Sequence, residues 1–149
     1  MKIEFRGQDR QTGKWVYGDL LQFNDGSFRI GVQSKTWTDD GFHNNDYEKM
    51  VEVKENTIGQ FIGKMDVDGK KIYRGDVVSY IITTGGIEDL GIVAKSKFIV
   101  DYDDDKAAFV FKFTNGTDMS YNLFEGCLQY HKLKVLGNIY NDPQLLNSL

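Results

Sequence analysis

The chain alternates short apolar runs with breaks at Gly, Asn and Asp. Strand-like runs fall at Lys2–Arg6, Lys14–Phe23, Phe28–Val32, Tyr47–Val53, Ile58–Met65, Lys71–Tyr73 and Val77–Thr83. Four more follow at Ile92–Val100, Ala107–Phe113, Met119–Phe124 and Lys132–Tyr140. Most are rich in Val, Ile, Phe, Tyr and Thr, the residues that fit a pleated, half-buried surface. Strands this frequent, with little helical periodicity, predict a mainly β protein of the barrel or sandwich class. A single proline in 149 residues leaves nearly every strand able to donate its ladder hydrogen bonds.

Three glycine turns set the expected registers. At Asn24-Asp25-Gly26, a two-residue Asp25-Gly26 loop pairs Phe23 with Phe28 and Leu21 with Ile30, so apolar residues meet on one face. At Asp68-Gly69, the same loop length pairs Met65 with Ile72. At Thr114-Asn115-Gly116, a two-residue loop would set phenylalanines against Asn122, Ser120 and Asp118. A three-residue loop with a left-handed Gly116 instead pairs Phe111 with Met119 and Phe109 with Tyr121. The end of the chain differs. Asp142-Pro143-Gln144-Leu145-Leu146 offers an acid before a proline at the first helical position and predicts one or two turns of helix.

The expected organisation is an N-terminal β subdomain over residues 1–56 and an SH3-like barrel over 57–149, closed by the short terminal helix. The two are expected to pack as one unit, because no flexible linker separates them. Gln33–Asn45 is the expected long excursion. Tyr17-Gly18-Asp19-Leu20-Leu21 echoes Tyr73-Arg74-Gly75-Asp76-Val77-Val78. Ile58-Gly59-Gln60-Phe61 echoes Leu136-Gly137-Asn138-Ile139. Both read as strand starts at which glycine bends the chain.

Composition narrows the class. With 2 Trp, 8 Tyr and 10 Phe, the chain is too aromatic for disorder. One cysteine excludes an internal disulfide and a multi-cysteine zinc site. No apolar stretch approaches the ~20 residues of a membrane span, and no signal-peptide core is present. A cytoplasmic protein without membrane attachment is expected.

Candidate chemistry is sparse. Cys127 and His131 lie four apart on a predicted strand, too far for a nucleophile–base contact. His43 falls in an Asn-rich loop. The run Asp101, Asp103, Asp104, Asp105 lacks the glycine and glutamate of a calcium loop, with Lys106 and Lys112 at those positions, and reads as a solvated hairpin tip. No catalytic residue, metal ligand or cofactor is expected. Net charge −4 argues against a sequence-blind phosphate binder. Even so, Lys64, Lys70, Lys71 and Arg74 cluster on one hairpin, and Trp15, Tyr17, Trp37, Phe42, Tyr47 and Tyr80 could stack bases if exposed. Leu145, Leu146 and Leu149 could pack on a second copy, since small β proteins must cover their strand edges.

Five stretches in order resemble the YopX-like family of phage and prophage proteins. They are Ile3-Glu4-Phe5-Arg6-Gly7, Gly13-Lys14-Trp15-Val16-Tyr17-Gly18-Asp19-Leu20, Thr57-Ile58-Gly59-Gln60-Phe61-Ile62-Gly63, Asp68-Gly69-Lys70-Lys71-Ile72-Tyr73-Arg74-Gly75-Asp76-Val77-Val78 and Val135-Leu136-Gly137-Asn138-Ile139-Tyr140. The resemblance implies a small, mainly β protein of a phage or prophage genome, and it carries over no catalytic residue. The expected function is a non-enzymatic accessory binding or assembly protein, acting on a protein partner or as a homo-oligomer in the bacterial cytoplasm. The alternative is a nucleic-acid-binding accessory factor in phage replication or regulation, using Lys64, Lys70, Lys71 and Arg74.

Overall fold

A computed structural model describes residues 2–33, 47–83, 92–114, 121–122 and 131–147. The protein is mainly β and divides into two compact units, Met1–Phe61 and Ile62–Leu149. The division falls inside a strand. Among the described residues, no helix is long and apolar enough to cross a membrane.

The first unit contains β1 (Phe5–Gln8), β2 (Trp15–Gln22), β3 (Phe28–Gln33), β4 (Tyr47–Glu52), a 3-10 turn (Glu55–Thr57) and the start of β5 (Gly59–Met65). All its pairings are antiparallel. β2 serves two partners. Its first half, Trp15–Gly18, lies against β1, and its second half, Asp19–Gln22, lies against β3. The handover needs Gly18, because a Cβ there would strike the Gly31 carbonyl oxygen.

After β4 the chain crosses back to β1. Asp9 and Val53 form a bridge, Arg10 N–H donates to the Glu52 carbonyl at 3.0 Å, and Lys54 N–H donates to the Gln8 carbonyl at 2.9 Å. Gly7 allows the close approach, since a Cβ would lie 2.8 Å from that of Val53. Buried Thr57 locks the crossing. Its Oγ1 accepts from Gln8 N–H at 2.9 Å and donates to the Lys54 carbonyl at 2.6 Å. β5 then returns beside β1, with Gln60 opposite Phe5. The run β4-β3-β2-β1-β5 is thus wrapped back on itself by the Asp9–Val53 bridge, and Ile30 and Val53 are buried within it.

The second unit contains the rest of β5 with β6 (Lys71–Tyr73), then β7 (Asp76–Thr83), β8 (Ile92–Asp103), β9 (Ala108–Phe113), β10 (Tyr121–Asn122) and β11 (His131–Asn138). Its antiparallel sheet runs β10-β9-β8-β7-β11. Among the described residues no pairing joins β10 to β11, so the SH3-like closure expected of residues 57–149 is not among the pairings seen. The wrapped connectivity belongs to the first unit.

The core of the second unit sits between the β5–β6 hairpin and one sheet face. Ile62 and Ile72 from the hairpin pack with Val78, Phe98, Val100, Phe111 and Val135 from the sheet. Phe98 lies 4.9 Å from Phe113 and 5.8 Å from Phe111, centroid to centroid, both tilted as ring quadrupoles favour.

Three registers differ from the sequence expectation. In the β2–β3 hairpin, Leu21 faces Arg29 and Leu20 faces Ile30. Phe23 N–H donates to the Ser27 carbonyl and Gly26 N–H to the Phe23 carbonyl, so the loop has three residues, ending in Gly26 at φ +83°. The β5–β6 turn repeats this pattern, with Asp66 N–H to the Lys70 carbonyl, Gly69 N–H to the Asp66 carbonyl and Gly69 at φ +78°. A two-residue type I′ loop requires positive φ at both central residues, and neither Asp25 nor Asp68 has it. In both turns a carboxylate accepts backbone N–H groups instead. Asp25 takes Ser27 at 2.8 Å, and Asp66 takes Asp68 at 2.9 Å and Lys70 at 2.8 Å. In the third case Tyr121 faces Phe111 rather than Phe109. Gln33 ends β3, and the rest of the expected Gln33–Asn45 excursion, the Gly116 turn and Cys127 lie outside the described residues.

The expected terminal helix is a single 3-10 turn, Pro143–Leu146, with proline at its start. Asp142 does not cap it. Its carboxylate accepts from Asn138 N–H at 3.1 Å, folding the turn back onto β11.

Candidate functional site

The basic hairpin is the first candidate. Lys64 lies in β5, Lys70 follows the turn, Lys71 lies in β6 and Arg74 sits between β6 and β7. The fold puts the three lysines on the β5–β6 hairpin and Arg74 just beyond it, with acids close by. Arg74 Nε donates to Asp101 Oδ1 at 2.9 Å, and Lys112 Nζ reaches the other oxygen at 2.6 Å. Burial opposes the Asp101 charge, yet Lys112, the Tyr102 N–H and Arg74 together hold its carboxyl below the usual range. Lys134 lies 3.4 Å from Asp68. At Arg74 a phosphate would compete with a carboxylate already in place.

The terminal leucines are the second candidate. Leu145 and Leu146 are half-buried. Leu145 Cδ1 approaches to 2.9 Å of where a Gly137 Cβ would lie, so this side chain packs on its own sheet. Leu149 lies outside the described residues. Among those residues, no three His, Cys, Asp or Glu gather to hold a metal ion.

A third surface, in the first unit, was not singled out from sequence as a whole. Directly opposed residues share a sheet face, so the registers place Arg6, Tyr17, Asp19, Leu21, Arg29, Gly31, Met50 and Glu52 on one side. The Arg6 guanidinium lies 4.6 Å over the Trp15 ring and that of Arg29 lies 4.3 Å over Phe23. Each stack contributes about 0.5–1 kcal/mol and covers one face of its ring. Tyr17 and Met50 are 46% and 51% exposed on this face.

Asp19 organises the middle of the surface. It accepts from Gln33 Nε2 at 2.9 Å and from the Tyr47 hydroxyl at 3.1 Å. The Tyr47 ring lies over Gly31, where a Cβ would collide with it. Loss of solvent around the phenol, then the Asp19 bond and charge, push the Tyr47 pKa up.

Arg10 and Glu52 join at 2.6 Å where β4 leaves the face. Clefts of 570 Å³ and 450 Å³ flank this pair. The larger is lined by Gly26, Ser27, Phe28, Val53 and Lys54, and the smaller by Asp9, Gln11, Met50 and Val51. Sequence reasoning named Trp15, Tyr17 and Tyr47 but missed Arg6, Arg29, Asp19 and Met50. The missing signal was strand register: the β1–β2 pairing places Arg6 over Trp15, and the β2–β3 pairing places Arg29 over Phe23.

No curated protein matches the chain. Among solved structures, the fold is similar to the crystal structure of protein EF1440 from Enterococcus faecalis, with a TM-score of 0.59 at 20% identity. That match covers 98% of this chain and 99% of the other, so it extends across both units. The YopX family, described as YopX protein, matches residues 4–147. With nearly its whole length matched, the chain belongs to the YopX family.

Proposed function

We propose that the chain is a phage- or prophage-encoded accessory protein that binds other proteins and is not an enzyme. It works in the bacterial cytoplasm, and its partner docks on the β1–β4 face of the first unit. The observation that carries this reading is the grouping of exposed Tyr17 and Met50 with the Arg29–Phe23 stack, on a face where Arg6 is itself buried against Trp15. Aromatic residues, Met and Arg are the types enriched in protein interfaces. Guanidinium groups over Trp15 and Phe23 leave those ring faces less available to nucleobases, which disfavours the nucleic-acid alternative.

Two measurements separate the readings. Tagged chain is isolated from a lysogenic host, and partners that survive washing are identified by mass spectrometry, for wild type and for Tyr17→Ala. The expected result is a defined partner whose recovery falls at least about fivefold with Tyr17→Ala, as for an interface anchor. In parallel, gel shifts use single- and double-stranded DNA and RNA at low salt. A salt-dependent shift lost on joint substitution of Lys70, Lys71 and Arg74 would overturn the protein-binding reading in favour of the alternative.

A further inference from the structure

The β4 strand ends its sheet order, and its backbone directions are fixed by neighbours. Val53 N–H donates to the Phe28 carbonyl on β3, whereas the Glu52 carbonyl accepts from Arg10 on the other side. Backbone groups alternate along a strand, so Val51 faces β3 and Met50 turns its N–H and C=O outward. Among the described residues nothing pairs with those Met50 groups. The strand that would continue alongside is missing because the chain turns away at Asp9–Gly13, where Gly13 N–H donates back to the Asp9 carbonyl. The 450 Å³ cleft opens at this place, between Asp9–Gln11 and Met50–Glu52.

We propose that this edge receives an extended segment of the partner protein, which adds a short strand outside β4 at Met50. This deepens the protein-binding reading and rests on it. Main-chain hydrogen bonds to Met50 would supply affinity, and the exposed Met50 side chain would select an apolar residue opposite it. Charge argues against a second copy as the occupant. An antiparallel pairing of two β4 edges centred on Met50 sets Glu48 against Glu52, and one centred on Lys49 sets lysine against lysine. A segment with a basic residue near Glu48 and an apolar residue opposite Met50 avoids both conflicts. The register shift between Val32 and Gln33 near Tyr47 limits the open edge to a few residues.

The test uses the full-length chain and a short synthetic peptide that alternates valine with threonine and lysine. Amide hydrogen exchange is followed residue by residue. Peptide at about 1 mM should slow exchange at Met50 at least about tenfold. Met50→Pro removes the outward N–H together with the exposed Met50 side chain and should abolish binding, whereas Tyr17→Ala should retain it. Peptide binding that leaves the Met50 amide unchanged, or that survives Met50→Pro, would overturn the proposal. So would no binding at all, or Met50 protection that appears with protein concentration alone, which would name a second copy as the occupant. The exchange measurement on wild type stands even where the proline variant folds poorly. A native partner whose binding depends on Tyr17 while the Met50 amide stays unprotected would sink strand addition and keep the protein-binding reading. Loss of both would sink both.

Discussion

The Asp66 carboxylate accepts the Val135 N–H at 3.0 Å, tying the β5–β6 turn to β11 across 69 residues of sequence. Its other oxygen holds the Asp68 and Lys70 N–H groups, and Val67 N–H donates to the Leu133 carbonyl alongside. One side chain therefore shapes a turn and fastens it to the sheet whose core Ile62 and Ile72 cover.

Acid should loosen this fastening. Burial raises the Asp66 pKa, but the backbone donors at Val135, Lys70 and Asp68 outweigh it and hold the carboxyl below the ordinary aspartate value of 3.8. A carboxylate with a depressed folded pKa contributes stability that is present above the unfolded value and lost as pH falls through the folded one. Stability should therefore drop below pH 3.8, and Asp66→Ala should flatten that part of the profile. At neutral pH this substitution should cost about 2–4 kcal/mol, because three N–H groups lose a charged acceptor. Urea midpoints across pH would check both effects.

Gly75 and Gly69 should respond differently to alanine. Both have positive φ, +88° and +78°. Gly69 has open space where a Cβ would go, so only backbone strain of about 1 kcal/mol applies. At Gly75 a Cβ would lie 2.8 Å from Tyr140 Cε2, while its N–H and C=O are held by Val100 and Ile139. Gly75→Ala should cost at least about 3 kcal/mol, by adding overpacking to strain. Equal costs in chemical denaturation would refute the packing argument.

Strand identity was legible in sequence because β-branched and aromatic runs cut by Gly and Asp leave few other readings. Register was less legible. The rule that apolar residues face each other put Leu21 against Ile30, but β2 is half-buried along most of its length, so alternation carries little information there. The loop chemistry decided instead, through the Phe23–Ser27 hydrogen bond and left-handed Gly26. Long-range ties were invisible for another reason. Nothing near Asp66 in sequence points to Val135, and nothing near Arg29 points to its stack on Phe23 until the register is known.

Ala107 marks a cost the chain carries. It adopts φ +48° in the Asp104–Ala107 turn between β8 and β9, the left-handed region that alanine disfavours. Left-handed strain on a side chain is about 1–2 kcal/mol, and glycine returns part of the gain through unfolded-state entropy. Ala107→Gly should stabilise the protein by about 0.5–1 kcal/mol, read as a higher urea midpoint with an unchanged slope. A lower midpoint would mean that the turn does not hold this conformation in solution.

Two proline substitutions on β4 should separate its inner and outer edges without any ligand. Val51 faces Ile30 across the ladder, at a position whose N–H points to β3. Proline there removes a ladder hydrogen bond and should cost about 3 kcal/mol or more. At the next residue, Met50, the N–H points away from β3, the position where sheets tolerate proline. Met50→Pro should cost no more than about 1 kcal/mol, from loss of the Met50 side chain and restriction of Lys49. Thermal unfolding of both variants checks the difference. If Met50→Pro unfolds the protein as Val51→Pro does, the Met50 N–H is already engaged, and the open edge on which strand addition depends does not exist.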